Sequence, residues 1–432
     1  MQAVIMAGGK GTRLRSVTND EIPKPMAPIA GKPILQWQIE CLRRSGVTDI
    51  IIITGYLGEK IESYFGDGAA FGVRIGYYRE TQPLGTAGAL AEITDRLDED
   101  FLLVFGDTIF DISISRMFAF HHEKRAEATL FAHPNSHPFD SDIILRDGTQ
   151  RVCGFLSKHD ERFGWYDNCV NAGFYIINKR LCECIPRGEK TDLEKQVLWP
   201  LAKSGGAVYA YLSPEYIKDV GTPERIAAAA EEIKSGVVAA RNLGKKQKCV
   251  FLDRDGTVNR YCGLISAPEQ FELEPHAAEA IRLLNRSGYL TIVATNQPVV
   301  ARGMCSIADV EEIHRKLSTL LGQEGAYIDG IVFCPHHPDK GYPEENPAYK
   351  IPCHCRKPDI GMLTACTDKY NIDLTRSWMV GDTTVDIQTG LNAGTHTALV
   401  LTGEAGKDGK YNVQAERVGT DLLEVVKKII GE

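Results

Sequence analysis

The chain has 432 residues, of which 43% are hydrophobic and 25% are charged, as is usual for soluble globular proteins. At roughly 150 residues per domain, this length predicts two or three domains, each able to bury its own core. The formal net charge of −8 argues against a nucleic-acid-binding protein, which needs a basic surface, although a few cations in a cleft can still bind anionic substrates.

The sequence shows no signal for membranes or export. No apolar run approaches the roughly 20 residues that span a bilayer, so no membrane association is expected. Residues 2–6 lead straight into a glycine loop, without the basic region and cleavage site of a signal peptide. We therefore expect the chain in the cytoplasm, where its 12 cysteines stay reduced and suit metal ligation better than disulfides.

Short β-branched runs alternate with amphipathic helical patterns, which predicts α/β sheets covered by helices on both faces. Predicted strands include residues 50–53, 101–105, 249–252, 290–294 and 378–380, and predicted helices include 223–234 and 277–286. A polar stretch separates the alanine-rich helix at 223–234 from the strand at 249, as at a domain boundary. We predict an α/β protein with two Rossmann-like three-layer domains, at 1–236 and 248–432, joined by a linker at 237–247.

A glycine-rich loop follows the first predicted strand. Gly8, Gly9 and Gly11 lie within four positions, so their backbone amides can approach a phosphate closely. The spacing matches neither the P-loop nor the dinucleotide-binding pattern. Arg13 adds a fork of donors suited to phosphate oxygens, and Lys24 places a second cation between two prolines. The alternative interpretation is a tight surface turn followed by a proline-rich loop.

The loop, Arg13 and Lys24 together resemble the signature of sugar-1-phosphate nucleotidyltransferases, and later segments extend the resemblance to about residue 235. It implies nucleotide or sugar contacts at Gly8, Gly9, Gly11, Thr12, Gly85, Thr86, Lys158 and Asn171, and Mg²⁺ ligands at Asp107 and Asp219. Ser157 stands where relatives often have a glutamate before the lysine. Taken singly, each aspartate is more often a solvated turn residue than a ligand, whereas the ordered set is improbable by chance.

The chemistry of that family explains why it needs these residue types. The attacking sugar-phosphate oxygen is already ionised, so no general base is required. Charge must instead be neutralised at the α-phosphate, which is the role implied for Mg²⁺ on Asp107 and Asp219. Arg13 and Lys24 would neutralise the departing pyrophosphate.

Two aspartates, Asp253 and Asp255, come directly after the predicted strand at 249–252. Carboxylates this close repel each other unless a cation shares the site, so Mg²⁺ is implied. The alternative is a calcium-binding loop or an ordinary turn, but the further carboxylates of an EF-hand are missing. The segment resembles motif I of haloacid-dehalogenase-type phosphatases, in which the first aspartate attacks phosphorus and the second transfers protons to and from the leaving oxygen and water.

The other motifs of that phosphatase family follow in order at predicted strand ends. The resemblance implies phosphoryl contacts at Thr295 and Asn296, a neutralising Lys357, Mg²⁺ ligands at Asp253, Asp255 and Asp382, and a supporting Asp386. Because α/β sheets bind ligands at the carboxyl ends of their strands, these positions predict one site.

A C-x-H…C-x-C pattern supplies four soft ligands, Cys334, His336, Cys353 and Cys355. Four protein ligands leave no open position, so the pattern predicts a structural zinc site. Free thiols in a loop are the alternative, because the chain contains other cysteines as well.

The predicted zinc loop would present Arg356 and Lys357 to the substrate. With Arg302 as a further substrate contact, it resembles a phosphatase branch that includes the heptose-bisphosphate and histidinol phosphatases. Residues 298–300, Pro-Val-Val, depart from the usual sequence of that branch.

Combining the two halves predicts a bifunctional enzyme. A phosphatase acting on heptose 1,7-bisphosphate would release heptose 1-phosphate, which a nucleotidyltransferase would activate with a nucleoside triphosphate, GTP being inferred from the pairing. The H-x-G-H motif of the ADP-heptose route is missing. One alternative joins a mannose-1-phosphate guanylyltransferase to a histidinol phosphatase, and in another one half is only a regulatory module. The expected partners are small molecules, and the sequence leaves open whether the chain forms a homo-oligomer.

Overall fold

A computed structural model describes residues 1–9, 11–341 and 343–431 of the chain. Its contacts divide into two compact units. The first unit comprises residues 1–133, 142–157 and 169–242, and the second comprises 134–141, 158–168 and 243–432. Among the described residues, no helix is both long enough and apolar enough to cross a membrane.

The first unit is built on a mixed sheet. Its strands are β1 Gln2–Ala7, β2 Pro28–Ile29, β3 Lys32–Pro33, β4 Asp49–Thr54, β5 Arg74–Arg79, β6 Asp100–Phe105, β7 Thr108–Asp111, β8 Ala128–His133, β9 Ile143–Arg146, β10 Val152–Leu156, β11 Val170–Asn178, β12 Val208–Leu212 and β13 Tyr216–Asp219. Its helices are α1 Arg15–Thr18, α2 Ile34–Arg44, α3 Gly58–Phe65, α4 Gly88–Glu92, α5 Ile114–Lys124, α6 Arg180–Glu183, α7 Trp199–Lys203, α8 Pro223–Lys234 and α9 Val237–Ala240, with a π-helical turn at Leu193–Leu198.

The order of strands in this sheet explains its apolar sequence. The path is β10-β9-β11-β6-β1-β4-β5, with β8 and β12 added beside β11, and β1 is parallel to both of its neighbours. Along β1, Val4 packs into one apolar cluster while Ala3 and Ile5 pack into another. Both faces of the strand are therefore buried, which is why its sequence is an unbroken apolar run.

The second unit has a fully parallel sheet with the order β16-β15-β14-β17-β18-β19. These strands are β14 Cys249–Leu252, β15 Leu290–Asn296, β16 Gly330–Cys334, β17 Trp378–Gly381, β18 His396–Val400 and β19 Arg417–Gly419. The helices are α10 Ala277–Arg286, α11 Ile307–Gln323, α12 Gly361–Tyr370, α13 Thr384–Ala393 and α14 Leu422–Ile430. Val250 and Phe251 again face different cores, so the predicted α/β class with two three-layer units is confirmed.

The segment predicted as a linker is structured. Val237–Ala240 forms α9, whose Val238 is buried in the first unit, and Leu243 is buried in the second unit. The second unit also contains 134–141 and 158–168, where the Tyr166 amide donates to Thr319 Oγ1 on α11 at 3.0 Å. The borders at 236 and 247 stay a prediction. They were placed from apolar patterning along the chain, and such patterning does not reveal which core a surface segment joins.

Candidate active sites

A short two-stranded sheet brings Asp107 and Asp219 together in the first unit. Antiparallel β7 and β13 place Asp219 opposite Thr108, and the Val220 amide donates to the Asp107 carbonyl at 2.9 Å. The Lys24 ammonium donates to Asp107 Oδ2 and lies 4.0 Å from Asp219 Oδ1. The structure thus brings three of the predicted site residues together, with the two aspartates around the Lys24 ammonium.

The two carboxylates have the donor chemistry that Mg²⁺ requires. Asp219 Oδ2 accepts from Arg225, whereas Oδ1 is buried and has no hydrogen-bond partner among the described residues. A second carboxylate, Asp107, is paired with the same lysine, Lys24. A buried, unsatisfied carboxylate oxygen beside another carboxylate fits a hard divalent cation, so the residues present are compatible with the predicted ligand pair.

Gly221 leaves the space in which the charged groups converge. A Cβ added there would lie 2.8 Å from Asp219 Oδ1, 3.0 Å from Lys24 Nζ and 3.3 Å from Arg13 Nη2. Arg13 therefore points to the same place as Lys24 and Asp219. Two cations beside two carboxylates suit a polyphosphate with bound metal, because each charge on such a ligand then has an opposite partner.

The glycine loop passes close to other chain segments. Gly11 has φ +59°, and a Cβ there would lie 2.6 Å from Lys24 Cβ. At Gly8 a Cβ would lie 2.3 Å from Glu80 Oε2, whereas at Gly9 it would meet nothing within 4 Å. Gly11 is thus required by its backbone conformation and by packing, whereas the atom that crowds Gly8 is the movable end of a side chain. Contacts to a phosphate stay a prediction for all three glycines. The side chain of Thr12 lies outside the described residues.

Gly85, Thr86 and Asn171 all contact one segment of the chain, residues 191–194. Gly85 has φ +79° and would strike the Thr191 carbonyl with a Cβ at 2.4 Å, and Thr86 Oγ1 accepts from the Leu193 amide at 2.8 Å. Asn171 Nδ2 donates to Glu194 Oε1 at 2.8 Å. These contacts show how the residues are positioned, while their contacts to base or sugar stay a prediction.

In the second unit, three carboxylates meet at the carboxyl ends of β14 and β17. Asp253, Asp382 and Asp386 each contribute an oxygen to a cluster whose atoms lie within 4.8 Å of one another. Lys357 Nζ lies 2.8 Å from Asp253 Oδ1 and 2.6 Å from Asp386 Oδ1. The predicted nucleophile, the neutralising lysine and one predicted ligand are therefore in one place.

This acidic cluster is deficient in positive charge. Burial, together with the neighbouring Asp253 and Asp386, raises the pKa of Asp382 to about 8, and burial also raises the pKa of Asp253. Asp382 Oδ1 is buried without a hydrogen-bond partner among the described residues. One lysine cannot balance three carboxylates, so the residues fit a divalent cation that would favour their ionised forms.

Asp255 lies outside that cluster of three. Its two oxygens accept from Arg254 at 2.9 and 3.0 Å and from Gln297 at 2.8 Å. Its role as a magnesium ligand stays a prediction, while Asp386, expected only as support, is in the cluster. Nearby, buried Thr295 accepts from Gln297 at 3.0 Å.

The Asn296 side chain pairs with the backbone of Lys357 in both directions. The Lys357 amide donates to Oδ1 at 3.0 Å, and Nδ2 donates to the Lys357 carbonyl at 3.1 Å. Asn296 therefore orients the residue whose ammonium reaches Asp253. Its predicted contact to the phosphoryl group itself stays a prediction.

The predicted zinc ligands form a compact group. The sulfurs of Cys334, Cys353 and Cys355 lie 3.1–3.4 Å apart, and His336 Nδ1 lies 3.4 Å from the Cys355 sulfur. Tetrahedral Zn–S bonds of ~2.3 Å place sulfurs roughly 3.8 Å apart, so a small outward movement would accommodate the ion. All three cysteines are free of disulfides, and the residues fit zinc.

The same loop carries Arg356. Its guanidinium donates to the His336 carbonyl at 3.1 Å. Burial lowers the pKa of Arg356, and the positive charge of Arg302 contributes in the same direction. Two such cations favour an anionic ligand, which is the role predicted for them.

Comparison with known proteins identifies both units. Residues 2–236 match the family described as Nucleotidyl transferase, which is more than half of the chain. The chain belongs to the nucleotidyl transferase family. Residues 354–425 match the HAD-hydrolase-like family, so the two units are a transferase unit and a phosphatase unit, and the predicted enzyme classes are confirmed.

Individual relatives divide in the same way. The D-glycero-alpha-D-manno-heptose 1-phosphate guanylyltransferase of Aneurinibacillus thermoaerophilus is 36% identical over 54% of this chain and 99% of its own length. The D-glycero-beta-D-manno-heptose-1,7-bisphosphate 7-phosphatase of Pseudomonas putida is 34% identical over 42% of this chain and 99% of its own length. The mannose-1-phosphate guanylyltransferase of Mycobacterium tuberculosis is 33% identical over 56% of this chain and 67% of its own length.

Several residues at these sites were missed by the sequence interpretation. In the transferase unit, Glu194 accepts from both Asn171 and Tyr175, and burial raises its pKa. Arg225 pairs with Asp219. In the phosphatase unit, Gln297 contacts Asp255. Gln297 and Arg225 lie close in the chain to the predicted residues Asn296 and Asp219, whereas Glu194, 23 positions from Asn171, carried no such signal.

Lys158 does not group with the other transferase residues. It belongs to the segment 158–168, which is part of the second compact unit, the phosphatase unit. Its predicted contact to the phosphate of a sugar substrate therefore stays a prediction.

Proposed function

We propose that this chain catalyses two steps of heptose activation. The phosphatase unit removes the 7-phosphate of D-glycero-D-manno-heptose 1,7-bisphosphate, and the transferase unit moves GMP from GTP to the resulting heptose 1-phosphate, releasing pyrophosphate. The observation that carries this proposal is the pairing in one chain of units similar to a heptose 1-phosphate guanylyltransferase and a heptose bisphosphate phosphatase. The product of one reaction is the substrate of the other.

The α-anomer is proposed from the transferase side. The related guanylyltransferase is named for the alpha sugar, whereas the related phosphatase is named for the beta bisphosphate. Transfer occurs at the anomeric phosphate itself, so the transferase must distinguish the anomers. Hydrolysis occurs at C7, remote from the anomeric carbon, so the phosphatase unit has less reason to do so.

In the proposed transfer, an ionised oxygen of the sugar phosphate attacks the α-phosphorus of GTP, and the bond to pyrophosphate breaks. Mg²⁺ held by Asp107 and Asp219 would neutralise charge at the α-phosphate. Arg13 and Lys24 would bind the leaving pyrophosphate, since their cationic ends converge beside Gly221. The protein contributes positioning and charge, with no proton transfer required.

In the proposed hydrolysis, Asp253 attacks phosphorus while the bond to the C7 oxygen breaks, and Asp255 gives that oxygen a proton. Water then attacks the phosphoaspartate, Asp255 takes a proton from the water, and phosphate leaves. Mg²⁺ at the acidic cluster would neutralise the phosphoryl group. Lys357, held by Asn296, would place its ammonium between the nucleophile and Asp386.

The two activities should be coupled in one vessel. With α-heptose 1,7-bisphosphate, excess GTP and Mg²⁺, we expect one phosphate for each bisphosphate hydrolysed and one pyrophosphate for each GDP-heptose formed. Mass spectrometry of the products and separate assays of the two phosphates would measure this. Faster hydrolysis of histidinol phosphate, or preferential transfer to mannose 1-phosphate, would contradict the proposal and support the alternative pairing.

We also propose that the cluster of Cys334, His336, Cys353 and Cys355 binds one structural zinc ion. Because such an ion contributes folding free energy directly, Cys353→Ser is expected to lower the melting temperature of the phosphatase unit by roughly 6 °C or more. Metal analysis should find one zinc per wild-type chain and markedly less in the variant. Cys262→Ser, at an exposed cysteine, is the matched control. A wild-type protein whose melting temperature is the same with and without zinc would contradict the proposal.

A further inference from the structure

Arg254 is a charged side chain with no exposure to solvent. Its relative accessibility is 0%, and it is the largest of the fully buried side chains among the described residues. A buried guanidinium is costly unless its donors are paired. The sequence places it between the two aspartates of the phosphatase motif, so its partners bear on the chemistry there.

The donors of Arg254 meet three different side chains. Nε and Nη2 donate to Asp255 Oδ1 at 3.2 and 2.9 Å, and Nη2 also donates to Gln297 Oε1 at 3.1 Å. Nη1 lies 3.4 Å from Nε2 of buried His314 on α11. Since arginine has no acceptor, His314 Nε2 must be the accepting nitrogen. The guanidinium is therefore fixed by its neighbours as well as by Asp255.

Asp255 receives donors on both oxygens. Oδ1 accepts from Arg254 and from Asn259 Nδ2 at 3.1 Å, and Oδ2 accepts from Arg254 at 3.0 Å and from Gln297 Nε2 at 2.8 Å. Gln297 is itself fixed, because its backbone amide donates to the Cys334 carbonyl at 2.8 Å. The plane of the Asp255 carboxyl group is thus held from two sides.

Proton transfer requires such a fixed direction. A general acid acts only when its proton lies within hydrogen-bond reach of the leaving oxygen, and small misplacements cost large factors in rate. Asp253, the attacking group, is held separately by Lys357 at 2.8 Å and by its own amide, which donates to the Val380 carbonyl. The Arg254 backbone amide also donates to Asp253 Oδ1 at 2.7 Å, so the support of Asp255 differs from that of Asp253 in its side chains and not in its backbone.

We propose that Arg254 and Gln297, with His314 behind Arg254, are positioning residues that aim Asp255 at the leaving oxygen of the substrate. The proposal rests on the proposed phosphatase function. In the step concerned, Asp253 forms a bond to phosphorus, the bond from phosphorus to the sugar oxygen breaks, and the Asp255 proton moves to that oxygen. If Asp255 is misplaced, hydrolysis should slow for esters whose leaving oxygen needs that proton. Hydrolysis should change little for esters whose leaving group departs as a stable anion.

The test compares two substrates on one variant. Gln297→Leu removes one donor to Asp255 while leaving Arg254 to balance its charge. For a sugar phosphate, kcat/KM should fall about tenfold or more, since general acid catalysis contributes roughly 10²–10⁴-fold. For p-nitrophenyl phosphate, whose phenolate needs no proton, kcat/KM should change far less. Rapid acid quench with labelled p-nitrophenyl phosphate should show more phosphoaspartate than in the wild type, because Asp255 also activates the water.

The ratio of kcat/KM for the sugar phosphate to kcat/KM for p-nitrophenyl phosphate is independent of the folded fraction, so partial unfolding cannot imitate the result. Asp255→Asn should lower the same ratio, and adding Gln297→Leu to it should lower the ratio no further. Gln323→Leu, at an exposed glutamine on α11, is the matched control. An unchanged ratio in Gln297→Leu, whether both substrates lose activity equally or neither loses any, would overturn the positioning role.

Failure of the proposed function would look different. If the wild type hydrolyses another sugar phosphate in place of the heptose bisphosphate, the substrate assignment falls and the ratio is measured with that ester. If the wild type hydrolyses no phosphate ester, both the function and the positioning role are overturned. Arg254→Lys supplies a second variant. It should keep the buried positive charge but lose the several guanidinium hydrogen bonds to Asp255, and it should therefore lower the same ratio.

Discussion

Replacing Asp253 with asparagine is expected to reduce phosphate release from the sugar bisphosphate by about 10⁴-fold or more, because an amide cannot act as the attacking oxygen. The substitution keeps the size of a side chain that is held by Lys357 at 2.8 Å. The phosphatase unit should therefore remain folded. GMP transfer to heptose 1-phosphate, supplied directly, should proceed at the wild-type rate.

The matched control for this variant is Asp368→Asn, at an exposed aspartate of α12 remote in sequence from the acidic cluster. It should release phosphate as the wild type does. Phosphate release by Asp253→Asn within tenfold of wild type would show that Asp253 is not the nucleophile. Loss of GMP transfer in Asp253→Asn would indicate general misfolding, which a thermal melt would reveal.

The reciprocal substitution, Asp219→Asn, is expected to slow pyrophosphate release by roughly 10²–10³-fold, in line with the loss of one electrostatic contact to a developing charge. Asp219 Oδ1 is buried and has no hydrogen-bond partner among the described residues, so it is the atom most suited to an added cation. The magnesium concentration for half-maximal transfer should also rise. Phosphate release by the phosphatase unit should be unaffected.

Asp95→Asn, at an exposed aspartate of the same unit, is the control for that experiment. Among the described residues, its ion pair is with a surface arginine, Arg187, at 3.2 Å, and such pairs contribute little to stability. A transfer rate and magnesium dependence that stay at wild-type values in Asp219→Asn would remove this residue from the metal site. Asp107→Asn would then show whether the remaining carboxylate suffices.

A basic side chain pairs with the carboxylates of each predicted metal site. Arg225 holds one oxygen of Asp219 in the transferase unit, and Lys357 links Asp253 to Asp386 in the phosphatase unit. In both places a protein cation balances part of the negative charge before any metal binds. Without such a partner, a cluster of carboxylates would favour protonation over metal binding, because buried like charges repel.

Local patterns in the sequence determined much of the architecture. The strand predicted at 249–252 is β14 Cys249–Leu252, and the helices predicted at 223–234 and 277–286 are α8 and α10 with the same bounds. Thr222, which caps α8 with its side chain, and the apolar runs of strands buried on both faces are signals that adjacent residues carry.

The tertiary structure alone decided how the sites are supported. Gln297, which donates to Asp255, is 42 positions from it in the chain, and His314, which contacts Arg254, is 60 positions from that arginine. Glu194 reaches Asn171 across 23 positions, and residues 158–168 join the second unit. Such contacts depend on which chain segments pack side by side within one unit. Composition and periodicity record only whether a residue is buried, and not which distant side chain completes its hydrogen bonds.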